Sequence, residues 1–221
     1  MTFRLRRLTR WRYLHLLIAL VVMLVAYPYG GGGGALGVAA VLIPIASVFA
    51  LATEHRYLAI SIVLGAVTVA GVVQEAAGVE LLPVLVVGGS GLLLYASTTL
   101  FVLVRVLRTE RVTGDTLCGA IAVYLMIGLT WCLGYVLLEY LRPGSYALAA
   151  GATRRATGKD LLYFSYVTLA TLGYGDVVPV TDGARSLAVL EGLCGTIYMA
   201  ILVARLIGLH LAHAAPPAER L

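Results

Sequence analysis

Long apolar runs separated by short polar segments constrain the fold of this chain most. Hydrophobic residues make up 61% of its 221 residues and charged residues only 12%, and the mean hydropathy is +0.96. So little polar surface excludes a soluble globular protein. A helix needs about 20 apolar residues to cross the hydrocarbon core of a bilayer. Six runs approach or exceed that length, at residues 13–27, 35–53, 57–73, 81–107, 116–141 and 184–210.

Arginine clusters predict the orientation of these runs, because basic residues accumulate in cytoplasmic loops. Arginines lie before the first run and after the fourth, at Arg4, Arg6, Arg7, Arg10, Arg12, Arg105, Arg108 and Arg111. We therefore expect a multi-pass plasma membrane protein with six transmembrane helices, lipid contacts and both termini in the cytoplasm. The net charge of +5 follows from this topology and does not indicate a nucleic-acid partner. The dominance of Ala, Val, Leu, Gly and Arg points to a bacterial membrane.

A shorter amphipathic segment falls between the last two runs. Asp160 can begin a helix that continues to Ala170, before Gly173 and Gly175 end helical geometry. A helix this short cannot span the bilayer, so the backbone after Thr171 must face a water-filled cavity within the membrane. A helix C-terminus carries roughly half an elementary negative charge, and several such ends aimed at one point favour a cation. The segment therefore predicts an aqueous pathway for cations.

The residues from Thr168 to Asp176, Thr-Leu-Ala-Thr-Leu-Gly-Tyr-Gly-Asp, resemble the pore signature of the tetrameric potassium channel superfamily. The resemblance implies an all-α membrane protein with six transmembrane helices, a re-entrant pore helix and a selectivity filter. In that filter, backbone carbonyls replace the hydration shell of K⁺. The ion ligands would be the carbonyls of Thr171, Leu172, Gly173 and Tyr174 with the Thr171 hydroxyl, and Gly175 would complete the filter.

Successive carbonyls can face one axis only if the backbone alternates between ordinary and left-handed conformations. Gly173 and Gly175 can adopt the left-handed conformation without a Cβ penalty. Two residues depart from the usual signature, since Ala170 stands where threonine is common and Leu172 replaces valine or isoleucine. These departures leave open how tightly the filter is braced and how well it discriminates against sodium.

The resemblance also implies residues that support the filter. Tyr163 and Phe164 occupy places where relatives often carry two tryptophans, so they could form an aromatic cuff. Asp176 lies at the outer mouth, where its carboxylate either accepts a hydrogen bond from Tyr163 or stays solvated and concentrates cations. Thr168, at the start of the signature, is a further candidate for support.

The last apolar run carries small or modest residues at helical spacing, which suits a pore lining. These residues are Gly192, Gly195, Thr196, Met199 and Val203. Gly195 matches the glycine at which inner helices of the superfamily bend, although close helix packing explains it equally well. Thr196 and Met199 would line the cavity. Arg205 lies about 180° around the helix from Thr196, so it should extend to the cytoplasmic interface.

Glu191 is an ionisable residue several positions inside the same run. An acid at that depth is a functional candidate. One interpretation is a carboxyl that braces Ser165, Thr168 or a nearby tyrosine, and the other is a proton-sensitive role in gating. Both stay open at the level of the sequence.

Six runs with a pore loop before the last match the layout of voltage-gated channels. The fourth run holds no Lys or Arg between Leu81 and Val104, whereas a voltage sensor needs several charges. We therefore expect weak or absent voltage gating. The predicted units are a four-helix, voltage-sensor-like domain at residues 1–115, a pore domain at 116–211 and a short cytoplasmic tail at 212–221.

One pore loop cannot enclose an ion, so we expect a closed ring of four identical chains. The leading hypothesis is a homotetrameric, potassium-selective channel with passive conduction, in which K⁺ is the permeant ion and no cofactor is needed. Alternatives are a weakly selective cation channel, a potassium-uptake transporter subunit and a non-conducting accessory subunit. An enzyme is disfavoured, because the sequence has no nucleophile–base pair, phosphate-binding glycine loop or metal constellation.

Overall fold

The computed structural model describes residues 11–26, 42–43, 46, 55–78, 82–109, 113–149 and 154–214. These residues are mainly helical, as the sequence predicts. The helices are α1 Arg12–Ala26, α2 His55–Ala77, α3 Val84–Arg108, α4 Gly114–Leu141, α5 Gly158–Leu169 and α6 Asp182–Ala214. Two short strands, β1 Tyr146–Leu148 and β2 Val177–Pro179, pair in antiparallel fashion and flank α5 in the chain.

Three of these helices are long and apolar enough to cross a membrane. They are α3, α4 and the part of α6 that ends at Arg205, and at ~1.5 Å per residue each is longer than the ~30 Å hydrocarbon core. The apolar parts of α1 and α2, Tyr13–Ala26 and Leu58–Gln74, are shorter. The predicted run 35–53 lies outside the described residues apart from 42–43 and 46. Helices able to cross a membrane are thus present among the described residues, and the count of six stays a prediction.

Helix α4 lies against four other helices, α1, α3, α5 and α6. Its buried side chains join those of these neighbours in one core, whose members include Leu16, Leu20, Val102, Val106, Val123, Met126, Leu169 and Tyr198. This core contains residues from both sides of residue 115. The division of the chain into two units at that point stays a prediction.

Close packing and interhelical hydrogen bonds hold α4 to its neighbours. Lipid is as apolar as leucine, so association inside a membrane depends on such contacts more than on exclusion of water. At Gly128 an added Cβ would lie 2.6 Å from Cε1 of Tyr166, so glycine is needed for α5 to approach α4. The Tyr166 hydroxyl donates to the carbonyl of Leu125 at 2.8 Å, and the Tyr198 hydroxyl of α6 donates to that of Ala120 at 2.6 Å.

Arg205 connects α6 to the C-terminal end of α3. Its guanidinium donates to the backbone carbonyls of Val106 and Thr109. Carbonyls in the last turn of a helix lack intrahelical partners and carry partial negative charge, so a cation there is favourable. Arg205 thus lies at the end of α3 that carries Arg105 and Arg108, which is the end predicted to face the cytoplasm. There its guanidinium binds backbone carbonyls.

Candidate functional site

Helix α5 begins with a capping box. Thr157 is the N-cap residue, and the Asp160 carboxylate, in the third helical position, accepts a 2.8 Å hydrogen bond from the Thr157 backbone N–H. The N-cap predicted at Asp160 is therefore three residues too late, since in a capping box the acid lies inside the first turn. Arg154 donates to both Asp160 oxygens, from Nη1 at 2.5 Å and Nη2 at 2.8 Å.

The hydrogen bond from Arg154 holds the pKa of Asp160 well below its usual range. A lowered pKa in the folded state means that the ionised carboxyl contributes stability above its unfolded pKa of about 3.9, and that this contribution fades as pH falls towards the folded value. We expect Asp160→Asn to lower the free energy of unfolding by about 1 kcal/mol at neutral pH, a modest effect because the Arg154 side chain is 58% exposed.

Thermal unfolding of the purified protein in detergent, followed by circular dichroism between about pH 3 and pH 8, would measure this difference. The gap between wild type and Asp160→Asn should be constant above about pH 5 and should narrow below about pH 4. A gap that stays constant to the acid limit would contradict the assigned role of the carboxylate.

The backbone after α5 alternates in handedness. Thr171, Gly173 and Gly175 have positive φ values of 56°, 58° and 79°. The left-handed conformation predicted at both glycines is confirmed. The positive φ of Thr171 was not predicted. Within the described parts of the chain, no other non-glycine residue has a positive φ. A left-handed conformation costs a residue with a Cβ about 1–2 kcal/mol, so surrounding contacts must hold Thr171 in place.

Hydrogen bonds on both sides fix this alternating segment. The Leu172 N–H donates to the carbonyl of Val167 at 2.9 Å, and the Thr171 N–H donates to that of Thr168 at 3.0 Å. On the far side, the Asp176 carbonyl accepts from the Ala149 N–H at 2.7 Å, next to the pairing of β1 with β2. The segment is therefore held between a helix end and a strand pair. Thr168 contributes its backbone carbonyl to this arrangement.

One side of the alternating segment is open in the single chain. Residues 170–176 are exposed, with side-chain exposure reaching 55% at Leu172 and 67% at Tyr174. The Asp176 carboxylate accepts a hydrogen bond from the Val177 N–H at 3.1 Å, and it lies near enough to the Tyr163 hydroxyl to raise the pKa of that tyrosine. The proximity of the two groups is compatible with the tether, and both interpretations of Asp176 stay predictions.

Phe164 lies in a buried aromatic cluster behind α5. Its ring centroid is 5.2 Å from that of Tyr135 and 5.6 Å from that of Tyr146, and the rings are tilted against one another. Aromatic pairs at such spacing favour tilted geometry. Tyr163, its neighbour in the sequence, is only half-buried. Phe164 therefore supports α5 through α4 and β1.

Glu191 is fully buried between α6, α4 and α5, with 0% of its surface exposed. The Tyr135 hydroxyl donates to its Oε2. The Ser165 Oγ lies 2.5 Å from its Oε1 and 2.6 Å from the carbonyl oxygen of Gly128. Of the partners that the sequence suggests for this carboxyl, Ser165 and a tyrosine are confirmed, and among the described residues no hydrogen bond joins it to Thr168.

Glu139 is a buried acid that was not predicted from the sequence as a functional residue. Its carboxylate accepts hydrogen bonds from the backbone N–H groups of Gly144, Ser145 and Tyr146 at 2.8, 2.9 and 3.3 Å. The Ser145 carbonyl in turn accepts from the Val180 N–H at 2.8 Å, just beyond β2. Glu139 therefore fixes the turn that holds the strand pair beside the alternating segment. An acid four residues before a Pro-Gly-Ser turn was the available signal.

The exposed strip of α6 includes three of the predicted cavity residues. Thr196, Met199 and Val203 are exposed in the single chain, and the Thr196 hydroxyl donates to the Gly192 carbonyl at 2.9 Å. Gly195 is buried, and a Cβ added there would lie 2.7 Å from the Leu169 carbonyl oxygen. Close packing is therefore one reason for glycine at position 195.

Comparisons with known proteins identify the family. Residues 123–209 match the family described as Ion channel. The chain is 34% identical over 115 residues to Protein LctB of Bacillus caldotenax, a match that covers 51% of this chain and 85% of that protein. No solved structure gives a significant match.

Two further relatives carry potassium channel names. The chain is 33% identical over 82 residues to the inward rectifier potassium channel Kirbac3.1 of Paramagnetospirillum magnetotacticum. This match covers 35% of this chain and 24% of that protein. It is 36% identical over 84 residues to two pore potassium channel c of Oryza sativa subsp. japonica, covering 38% of this chain and 16% of that protein. It thus spans a quarter or less of these two relatives. The chain is a membrane protein that belongs to the potassium channel superfamily, a family of ion channels and not of enzymes.

Proposed function

We propose that four copies of this chain form a potassium-selective channel, in which the carbonyls of residues 171–174 bind K⁺ passing down its electrochemical gradient. The observation that carries this proposal is the positive φ at every second residue, Thr171, Gly173 and Gly175. Alternating handedness turns successive carbonyls towards one side, where they can replace the hydration shell of the ion. The Thr171 hydroxyl adds a ligand at the inner end.

The electrostatics of α5 favour a cation at this position. The C-terminus of α5, at Leu169, directly precedes the filter, and a helix C-terminus carries about half an elementary negative charge. Four such ends around one axis attract a positive ion without a fixed acid in its path. The carboxylate of Asp176 adds negative charge at the outer mouth.

The exposed side of the filter segment in a single chain favours assembly into a ring of four chains. Non-helical backbone at membrane depth has to be covered by protein or to line water, and in a single chain Leu172 and Tyr174 are largely exposed. A closed cyclic homotetramer supplies this cover and encloses the ion.

The proposed channel has weak or no voltage gating. Helix α3 carries Arg105 and Arg108 in its last turn and no Lys or Arg from Val84 to Val104. Each sensor charge is worth about 2.3 kcal/mol per 100 mV, so steep voltage dependence requires several of them within the membrane. We place the protein in a bacterial plasma membrane with both termini in the cytoplasm.

Ion flux from purified protein tests the proposal. The protein is reconstituted in vesicles with opposed potassium and sodium gradients, and its mass in detergent is measured. We expect a tetramer and a reversal potential close to the potassium equilibrium potential. A reversal potential near zero would instead identify a weakly selective cation channel, which the residues Ala170 and Leu172 leave possible. Absence of flux would identify a non-conducting subunit.

A further inference from the structure

Four groups in the interior form a chain of short contacts around Glu191. The Tyr135 hydroxyl contacts Oε2 of the carboxyl, and Oε1 lies 2.5 Å from the Ser165 Oγ. The same Ser165 Oγ lies 2.6 Å from the carbonyl oxygen of Gly128. All three contacts are at hydrogen-bonding distance, so each needs one proton between its two oxygens.

The number of available protons determines the state of the carboxyl. A serine hydroxyl has one proton, and a carbonyl oxygen can only accept. If Glu191 were ionised, Ser165 could donate to Oε1 or to Gly128, and the other contact would bring two oxygens together without a proton. If Oε1 carries a proton, it donates to Ser165, Ser165 donates to Gly128, and Tyr135 donates to Oε2. Only this second arrangement satisfies all three contacts.

The surroundings of Glu191 contain no compensating cation among the described groups that face it. The titratable side chains facing it from α4, β1 and α5 are Tyr124, Cys132, Tyr135, Tyr146 and Tyr166. All five are neutral or negative, so none can pair with a carboxylate. An ionised carboxylate buried without a cation is costly, and this favours the uncharged acid independently of the proton count.

Glu139 provides an internal comparison within the same part of the chain. It too is buried, but its carboxyl faces three backbone N–H donors, at Gly144, Ser145 and Tyr146. Three donors suit an acceptor-only carboxylate. The two acids therefore have different hydrogen-bonding roles. Glu139 accepts at both of its oxygens, whereas Glu191 has to donate at one oxygen and accept at the other.

We propose that Glu191 is a proton-bearing carboxylic acid that joins α6 to α4 and α5, and that loss of its proton loosens the attachment of α5. On ionisation, Ser165 turns its only proton to the carboxylate and releases the carbonyl of Gly128. Because α5 leads directly into residues 171–175, this attachment positions the filter segment. The inference goes beyond the proposed ion conduction, and its test does not use ion flux.

Infrared spectroscopy and thermal unfolding test the inference on the purified protein. At neutral pH, wild type and Glu139→Gln should show the carbonyl stretch of a protonated carboxylic acid that Glu191→Gln lacks. Glutamine reproduces the proposed acid, because its amide donates to Ser165 and its carbonyl accepts from Tyr135. We therefore expect Glu191→Gln to unfold at or above the midpoint of wild type, because glutamine has no proton to lose in the unfolded chain. Glu139→Gln, which sets an NH₂ group against N–H donors, should lower the midpoint by several degrees.

The pH dependence completes the test. Because the folded chain holds this proton and an unfolded chain releases it at about pH 4.3, the unfolding midpoint of wild type relative to that of Glu191→Gln should fall as the pH rises while the band persists. It should level off at the pH where the band weakens. The proposal is overturned if wild type at neutral pH lacks the band, or if Glu191→Gln is as unstable as Glu139→Gln. A wild-type midpoint that stays constant relative to that of Glu191→Gln from about pH 5 upwards, while the band persists, would overturn the link to the attachment of α5.

Discussion

Replacing Gly173 by alanine is expected to abolish selective potassium flux. The φ of Gly173 is 58°, a conformation that costs a residue with a Cβ about 1–2 kcal/mol. An added Cβ would meet no atom within 4 Å in the single chain, so the penalty is conformational and not a collision. In a ring of four chains it adds up to about 4–8 kcal/mol. The backbone can relieve it by rotating the peptide, which turns a carbonyl ligand away from the ion.

Potassium uptake into vesicles that contain the purified variant measures the effect. A free-energy penalty of about 4 kcal/mol corresponds to a change of roughly a thousandfold in the population of the conducting filter. We therefore expect the selective flux to fall at least about a hundredfold. The variant should still assemble, since the change is confined to an exposed loop in each chain.

Gly78→Ala is the matched control for this variant. Gly78 also has a positive φ, 65°, and an added Cβ there would meet nothing within 4 Å. It follows the end of α2, far along the chain from the filter. The variant Gly78→Ala should lower the stability of each chain by a similar amount and should keep selective potassium flux. Full, selective flux through Gly173→Ala would contradict the assignment of the filter, and so would equal losses in both variants.

The left-handed residues illustrate what a local sequence can predict. Gly173 and Gly175 were identified from the sequence because the freedom of glycine is a property of the residue itself. Thr171 was not, since its own preference opposes a positive φ. Its conformation results from the turn in which Leu172 donates to Val167, and that turn is defined only once α5 has ended.

Long-range contacts explain the features that the sequence left open or missed. The helix face of Glu191 was predictable from 100° per residue, but the competition of Glu191 and Gly128 for one Ser165 proton requires the distances between three elements. Glu139 was missed because its partners are backbone N–H groups in a turn, which carry no side-chain signature. Phe164 packs towards α4 and β1 because these elements meet behind α5.

Gly195→Ala is expected to destabilise the protein and to displace the end of α5. A Cβ at this position would lie 2.7 Å from the backbone oxygen of Leu169 and 2.8 Å from its Cδ1. Overpacking of this kind costs about 1–3 kcal/mol, whereas alanine gains at most about 1 kcal/mol over glycine in helix propensity. The Leu169 oxygen is also held by the Tyr124 hydroxyl at 3.2 Å, so it cannot move without loss of that bond.

Gly192→Ala is the control, because it lies one turn earlier on the same helix. There the added Cβ would be 4.0 Å from the Thr168 carbonyl oxygen, which is an ordinary contact. No overpacking therefore offsets the higher helix propensity of alanine. Thermal unfolding in detergent should give a midpoint several degrees below wild type for Gly195→Ala, and one equal to or above it for Gly192→Ala.

The same pair of variants separates packing from bending as the reason for glycine at position 195. If glycine serves only as a point of bending, alanine should leave the unfolding midpoint unchanged and alter only how often the channel opens. If glycine lets α6 approach α5, the lower midpoint should come with reduced selectivity, because Leu169 lies two residues before Thr171 and a shift of its carbonyl moves the first ion ligand. Equal midpoints for the two variants would contradict the packing role.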